Sequence, residues 1–197
     1  VPGSVYGWKL LDAASPALRG RIPAAVRKLG SRASAWDFTG SQVYVGRDDG
    51  TLLATADDGL NWREYSQPGL KAIRAVYANP ADERMALAVA ESDSGETLLL
   101  RTLNAGAFWD NWTPQGLPSR SWDAAAPAFD QGALFLLDGV TAFRFTVDFR
   151  SMSPPSSGIP FRLEGLPARA VDLRVDPSGT LLFALAENRG VFSADAP

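Results

Sequence analysis

The sequence predicts an all-β fold, a β-propeller of four-stranded antiparallel blades, and three observations support this prediction. A motif with Ser or Thr first and Asp or Asn two positions later starts at residues 55, 102, 146 and 193. The copies are therefore separated by 47, 44 and 47 residues. Short apolar runs precede every copy, and turns rich in Gly or Asp divide them. A repeat of about 45 residues with four such runs has the size and content of one propeller blade.

The strands expected in each repeat follow one order. A first run is marked at residues 34–38, 71–77, 120–124 and 168–175. Two further runs form a hairpin before the motif, at 42–46 with 51–55, 85–90 with 97–102, 133–137 with 142–146, and 181–186 with 190–193. A short fourth run follows each complete motif. We expect a single domain over residues 1–197, with blades near 32–66, 70–115, 119–154, and 167–197 together with 5–12.

The closure of the ring is predicted from the two ends of the chain. The fourth repeat reaches Pro197 before its fourth strand, whereas residues 6–12 resemble the end of a motif followed by an outer strand. Pairing this N-terminal strand into the last blade would close a four-bladed ring and remove its exposed edges. Two alternatives stay open: the chain is part of a propeller of six or more blades, or two chains complete one ring.

The two complete motifs share four residue types. They consist of Thr55, Asp57, Gly59 and Trp62, and of Thr102, Asn104, Gly106 and Trp109. They resemble the Asp-box, or BNR repeat, found in sialidases, sortilin-type receptors, some endoglucanases and photosystem assembly factors. The resemblance implies a structural turn between the third and fourth strands, on the face opposite the ligand site. A short polar side chain can cap amides in such a turn, glycine permits a positive φ, and tryptophan can pack between blades.

Composition excludes several kinds of chemistry. The 197 residues include no histidine and no cysteine, which removes Ser-His-Asp and Cys-His nucleophilic sites, zinc sites built from these residues, and disulfides. With 19 basic and 22 acidic residues, the chain lacks the positive excess of a nucleic-acid-binding protein. No apolar run reaches the length of a membrane span. We therefore expect no metal site, no cofactor, no nucleic-acid partner and no membrane insertion.

Two features near the N-terminus bear on location and class. The chain begins at Val1 rather than Met, which suggests either a trimmed start or the removal of a signal peptide. Together with the Asp-box resemblance, this predicts export to the periplasm or the extracellular space. Arg21-Ile22-Pro23 resembles the Arg-Ile-Pro element with which sialidases hold the substrate carboxylate. A sialidase also needs two more convergent arginines and a tyrosine with a partnering glutamate, and none of the four tyrosines has a recognisable context.

Candidate ligand-binding residues are expected on one face of the propeller. In propellers of this kind, ligands usually bind where the first strands begin and where the second and third strands connect. The candidates there are Trp36, Asp37, Arg74, Trp122, Asp123 and Asp172. The Trp-Asp pair occurs in two repeats, and an aromatic ring beside a carboxylate suits a sugar or a cationic group. The alternative is that repeated positions serve packing and ion pairs between blades.

These observations predict a non-enzymatic binding or scaffold propeller that engages a protein or a glycan through this face. No catalytic residue is assigned, and a homodimer is left open. One alternative is a glycosidase-like, sialidase-related hydrolase, which would need paired carboxylates about 5 to 10 Å apart, with Asp37, Asp123 and Asp172 as the first candidates. Another is a fragment or module of a larger Asp-box propeller protein.

Overall fold

Fifteen β-strands form most of the chain that this computed structural model describes, namely residues 33–57, 59–176 and 178–197. In chain order the strands are β1 (Ala33–Thr39), β2 (Gln42–Arg47), β3 (Leu52–Thr55), β4 (Arg63–Tyr65), β5 (Leu70–Ala78), β6 (Ala86–Ser92), β7 (Thr97–Thr102), β8 (Asp110–Asn111), β9 (Ala124–Ala128), β10 (Ala133–Asp138), β11 (Thr141–Thr146), β12 (Gly158–Arg162), β13 (Ala170–Val175), β14 (Leu181–Ala186) and β15 (Gly190–Asp195). A single turn of 3-10 helix covers Phe129–Gln131. Within the described residues, no helix is long and apolar enough to cross a membrane.

The strands form four antiparallel sheets, and in each sheet the strand order follows the chain order. Blade 1 contains β1 to β4, blade 2 contains β5 to β8, and blade 3 contains β9 to β12. In the described part of the chain, blade 4 contains β13 to β15. This architecture confirms the predicted fold class, an all-β propeller with four blades. The first strand of each blade, β1, β5, β9 or β13, is its inner strand.

Each blade has two ends, because its strands alternate in direction. We call the upper face the end where the inner strands begin and where the second and third strands connect. The lower face is the opposite end, where the inner strands turn into the second strands and where the motif turns lie. The sequence predicts the ligand-binding candidates toward the upper face and the motif turns on the lower face, but Asp37 lies in the lower half of β1.

Blade 3 departs from the expected boundaries at both ends. Its inner strand covers Ala124–Ala128, so most of the run expected at 120–124 precedes it. Alanine is a weak strand former, and the segment is extended here because its alanines are buried against blade 4. The outer strand β12 ends at Arg162, beyond the expected end of the blade at residue 154. The third motif lacks the Gly and Trp of the complete boxes, and a longer connection leads into β12.

The predicted ring closure involves residues 5–12, which lie outside the described residues, so it stays a prediction. Arg21-Ile22-Pro23 lies outside them as well. Strand β15 is the last strand of blade 4 in the described chain, and all six of its residues are exposed. Val191 keeps 66% of its surface accessible.

Three hydrophobic clusters fill the spaces between successive blades. Side chains on a strand point alternately to its two faces, so a strand covered on both faces buries nearly all of its residues. Strands β2, β6 and β10 have this character, because each of their residues is buried or half-buried, including the polar Gln42 and Arg47 at the ends of β2. Representative members of the clusters are Tyr44 and Ile73 between blades 1 and 2, Leu87 and Leu134 between blades 2 and 3, and Phe135 and Leu173 between blades 3 and 4.

Polar contacts also connect the inner strands of neighbouring blades. The Tyr77 hydroxyl donates a hydrogen bond of 2.6 Å to the Ala125 carbonyl, which joins blades 2 and 3. The Ala78 N–H donates a hydrogen bond of 2.8 Å to Asp37 Oδ2, which joins blades 1 and 2. These bonds satisfy polar groups in the interior and fix the positions of the inner strands around the axis.

Candidate functional site

The first complete motif forms a network of hydrogen bonds in the turn between β3 and β4. The Thr55 hydroxyl donates to Asp57 Oδ1 at 2.8 Å and accepts the Gly59 N–H at 3.1 Å. Asn61 donates its backbone N–H to Asp57 Oδ1 at 2.9 Å and its side-chain amide to Oδ2 at 2.6 Å. These hydrogen bonds lower the pKa of the Asp57 carboxyl, and the bond from the Asn61 backbone contributes most. Gly59 has a φ of 81°, which side chains disfavour.

The second complete motif repeats this arrangement between β7 and β8. The Thr102 hydroxyl donates to Asn104 Oδ1 at 2.9 Å and accepts the Gly106 N–H at 3.0 Å. The Phe108 N–H donates to the same Asn104 oxygen at 2.9 Å. Gly106 has a φ of 77°. Asn104 Oδ1 thus accepts the same two bonds as Asp57 Oδ1, whereas the bond from the Asn61 side chain to Asp57 Oδ2 has no counterpart, because Phe108 stands in its place.

The two box tryptophans differ in burial. Trp109 is 1% exposed and meets the Tyr44 ring edge-on, with ring centroids 5.9 Å apart. Its carbonyl accepts the Tyr65 hydroxyl at 2.9 Å, so this residue of blade 2 is held by two tyrosines of blade 1. Trp62 is half-buried, and within the part of the chain that the structure describes its buried indole nitrogen has no hydrogen-bond partner.

Charged candidates near the upper face are engaged in ion pairs. Arg74 and Lys71 both contact the carboxylate of Glu91 within blade 2. Asp123 pairs with Arg169 across blades 3 and 4. Such pairs at a surface stabilise by at most about 1 kcal/mol each, yet they orient the side chains.

The two predicted Trp-Asp pairs have different surroundings. Trp122 is 3% exposed in the core between blades 2 and 3, and its indole nitrogen has no hydrogen-bond partner among the described residues. Trp36 is 41% exposed and stacks on Phe38, with ring centroids 6.0 Å apart. A ligand on the surface could therefore reach Trp36 but not the buried ring of Trp122.

A cavity of about 230 Å³ lies among the inner strands of all four blades. It is lined by the lower ends of these strands and the residues that follow them: Asp37, Tyr77, Ala78, Pro80, Ala126, Pro127, Ala128, Phe129, Asp130, Arg174, Val175 and Asp176. Pro80, Asp130 and Arg174 are exposed at its margin. The cavity is thus on the propeller axis, toward the lower face.

Arg174 and Tyr77 define the electrostatics of this cavity. The Arg174 guanidinium lies 5.0 Å from the centre of the Tyr77 ring, a cation–π contact between blades 4 and 2. Arg174 Nε is also 3.2 Å from Asp172 Oδ2. Burial raises the pKa of Tyr77 to about 12, and the negative charges of Asp172 and Asp37 add to this while Arg174 opposes it. Tyr77 is therefore a neutral hydrogen-bond donor at physiological pH.

The three carboxylates considered first for hydrolysis use both of their oxygens within the protein. Asp37 accepts the N–H groups of Phe38 and Ala78. Asp172 accepts the Leu173 N–H at 2.9 Å and contacts Arg174. Asp123 accepts the Gly139 N–H at 2.8 Å and pairs with Arg169. Each of these oxygens thus accepts one bond within the protein and keeps a lone pair for a further donor.

The structure does not gather the six ligand-binding candidates into one place. Asp37 lines the axial cavity. Asp172 does not line it but pairs with Arg174, which does. Trp36, Arg74, Trp122 and Asp123 are not among its lining residues. Sequence reasoning missed Tyr77 and Arg174, because they come from blades almost 100 residues apart and belong to no motif. Among the described residues, no group of three or more acidic side chains is placed to hold a metal ion.

Comparisons with known proteins support the fold. No protein-family model matches the chain, and no curated protein matches it in sequence. Among solved structures, the β-propeller domain of Cps50 (Swd1) from Myceliophteria thermophila has a TM-score of 0.61 at 14% identity, over 84% of this chain and 54% of that one. YCF48 bound to a D1 peptide has a TM-score of 0.53 at 16% identity, over 83% and 49%. KlAtg21 in complex with the coiled coil of AgAtg16 has a TM-score of 0.62 at 14% identity, over 82% and 52%.

These likenesses define the class of protein as a β-propeller. At sequence identities of 14 to 16%, these structural similarities support the fold and do not extend to function. The chain spans about half the length of each of these three propellers.

Proposed function

We propose that this chain is a non-enzymatic propeller that binds a protein partner. One observation carries the proposal: Asp37, Asp123 and Asp172 each use both carboxylate oxygens in bonds within the propeller. A carboxylate that acts as general acid, base or nucleophile must present an oxygen to its substrate. In all three, both oxygens are oriented by partners within the propeller, as expected of side chains that stabilise the fold.

The structural neighbours give a second support. YCF48 was solved with a D1 peptide, and KlAtg21 with the coiled coil of AgAtg16. We carry over only the general property, the binding of a protein segment by a propeller face. We further propose that the two complete boxes make the chain an Asp-box propeller, because their hydrogen bonds are the same in both copies.

A display selection tests the proposed class of partner. The purified chain is immobilised, random peptides are selected on it in parallel with a glycan array, and the recovered ligands are titrated by fluorescence anisotropy. We expect peptides with micromolar Kd values and no glycan signal. Arg74→Glu on the upper face and Asp130→Lys on the lower face then show which face binds, because each reverses one exposed charge. Glycan binding without peptide binding would contradict the proposal.

A hydrolase is the second candidate, and one observation favours it. Burial raises the pKa of Asp138, and the nearby Asp123 carboxylate raises it further by a smaller amount. A carboxyl group with a raised pKa can serve as a general acid. Turnover of aryl glycosides, including an aryl sialoside, that is lost in Asp138→Asn would establish this function and overturn the binding proposal.

We also propose that the protein is exported, on the Asp-box resemblance. Fractionation of the source cells with an antibody against the chain tests this point. Recovery in the cytosolic fraction alone would contradict it.

A further inference from the structure

The axial cavity combines apolar walls with an excess of negative charge. Pro80, Pro127 and Phe129 line it together with three alanines. Its charged lining residues are the carboxylates of Asp37, Asp130 and Asp176 and the guanidinium of Arg174. Because Asp172 already contacts Arg174, the positive charge is balanced locally. The cavity is therefore complementary to a cation with an apolar stem.

Two of these carboxylates are held rigidly. Asp37 is fixed between blades 1 and 2 by two backbone N–H groups. Asp176 accepts the N–H groups of Thr180 and Leu181 at 2.7 Å each and also binds the Ser178 hydroxyl. Donation by Ser178 and these amides lowers the pKa of Asp176 to about 2. A positive charge entering the cavity thus meets acceptors that are already oriented.

Asp130 differs from them, because none of the described residues bonds to its carboxylate. It is exposed at the margin of the cavity, beside Phe129 on the short helical turn. Its oxygens can therefore pair with an incoming group without breaking a bond in the propeller. This makes Asp130 the position at which a substitution changes the charge of the cavity with the least structural effect.

The size of the cavity limits what can occupy it. Pockets for drug-sized ligands and cofactors usually enclose about 300 to 1,000 Å³. This cavity, at about 230 Å³, is smaller. It suits one long side chain, and lysine and arginine both place an apolar stem before a charged head.

We propose that the axial cavity receives the lysine or arginine side chain of an extended basic segment of a protein partner. The apolar stem would lie against Pro80, Pro127 and Phe129, and the charged head would lie among Asp37, Asp130 and Asp176. This inference rests on the proposed function and adds to it the chemistry of the partner and the face that binds.

The test uses three short peptides and the methyl groups inside the cavity. Acetyl-Gly-Gly-Lys-Gly-Gly-amide, and its analogues with norleucine or glutamate in the central position, are titrated into the full chain labelled with ¹³C at alanine methyl groups. Ala126 and Ala128 line the cavity and report its occupancy. We expect saturable shifts at both methyls with the lysine peptide and at least tenfold weaker binding of the norleucine peptide, which has the same stem without the charge. We expect no binding of the glutamate peptide.

Variants of the full chain test the assignment of charge. Asp130→Asn should weaken binding of the lysine peptide about threefold, as expected for one partly exposed ion pair. Arg174→Gln removes a like charge and should strengthen binding by a similar factor. Glu164→Gln is the matched control, because it removes an exposed carboxylate that does not line the cavity. It should leave the affinity unchanged.

Each opposing result refutes the inference in a recognisable way. Equal binding of the norleucine peptide would indicate an apolar pocket, and binding of the glutamate peptide that Arg174→Gln abolishes would indicate an anion site. If the Ala126 and Ala128 methyls shift with protein concentration alone, a second copy of the chain occupies the cavity. If selected peptides bind but leave both methyls unmoved, the partner binds elsewhere, and the proposed function stands without this inference.

Discussion

Replacing Trp109 by alanine tests whether the Asp-box tryptophan holds two blades together. The side chain is 1% exposed, so the substitution removes a fully buried indole and leaves a cavity between blades 1 and 2. Truncations of this kind cost about 3–5 kcal/mol. The Tyr44 ring also loses an edge-on partner at 5.9 Å, a contact worth about 0.5–1.5 kcal/mol beyond its buried area. A domain with a free energy of unfolding of about 5–15 kcal/mol would lose a large fraction of it.

Urea unfolding followed by far-ultraviolet circular dichroism measures this loss. With a slope of about 2 kcal/mol per molar urea, the midpoint should fall by about 1.5–2.5 M. Trp62→Ala is the matched control, because the same residue type in the other box is only half-buried, and it should lose less. If the two variants lose equal stability, or if Trp109→Ala costs under about 1 kcal/mol, the box tryptophan does not act through inter-blade burial.

Three further predictions follow from buried and titrating groups. Arg101 is 1% exposed and bonds to Asp110 at 2.6 Å, so Arg101→Met should cost about 3–5 kcal/mol in urea unfolding, and adding Asp110→Leu should recover part of it because no unpaired charge is then left. The pKa of Asp176 is about 2 in the folded state, which is below its unfolded value. Its charged carboxylate therefore adds to the free energy of unfolding above about pH 4, and this contribution is lost as the pH falls toward 2. Asp176→Asn should flatten the acid side of a profile of urea midpoint against pH. The pKa of Asp138 is raised in the folded state, so its charged form opposes folding at neutral pH; Asp138→Asn should raise the midpoint at pH 7 and leave it unchanged at pH 3, where both states are protonated.

The fold could be predicted because its signals are local and repeated. The apolar runs expected at 42–46 and 133–137 correspond to β2 and β10, and the bonds made by the Thr and the Asp or Asn side chains of the two complete motifs join residues at most four positions apart. Blade 3 was harder to predict, since Ala124–Ala128 is a strand through burial against neighbouring blades rather than through propensity. Information about that burial is not contained in the segment itself.

The candidate site could be predicted only in part. Asp37 was chosen for its place on an inner strand, and it does line the axial cavity. Arg101 was not identified, although it donates to the carbonyls of Phe149 and Ser151 and stacks on Trp112 at 4.8 Å. Its partners in blade 3 follow a decayed motif almost 50 residues away. Contacts between repeats depend on register and side-chain direction, which a pattern within one repeat does not specify.

The predicted closure through residues 5–12 can be tested by cross-linking, because the chain has no cysteine of its own. If those residues pair beside β15, a cysteine at Leu10 should come within disulfide range of one introduced at Val191, Phe192 or Ser193, since paired strands hold opposite Cα atoms about 4.5–5.5 Å apart. Oxidation of the matching double variant should then give a monomer that migrates faster on a non-reducing gel and has a higher urea midpoint. A covalent dimer would instead show that two chains complete one ring. If no register cross-links within or between chains, the fourth strand of blade 4 comes from elsewhere, and the N-terminal segment does not close the propeller.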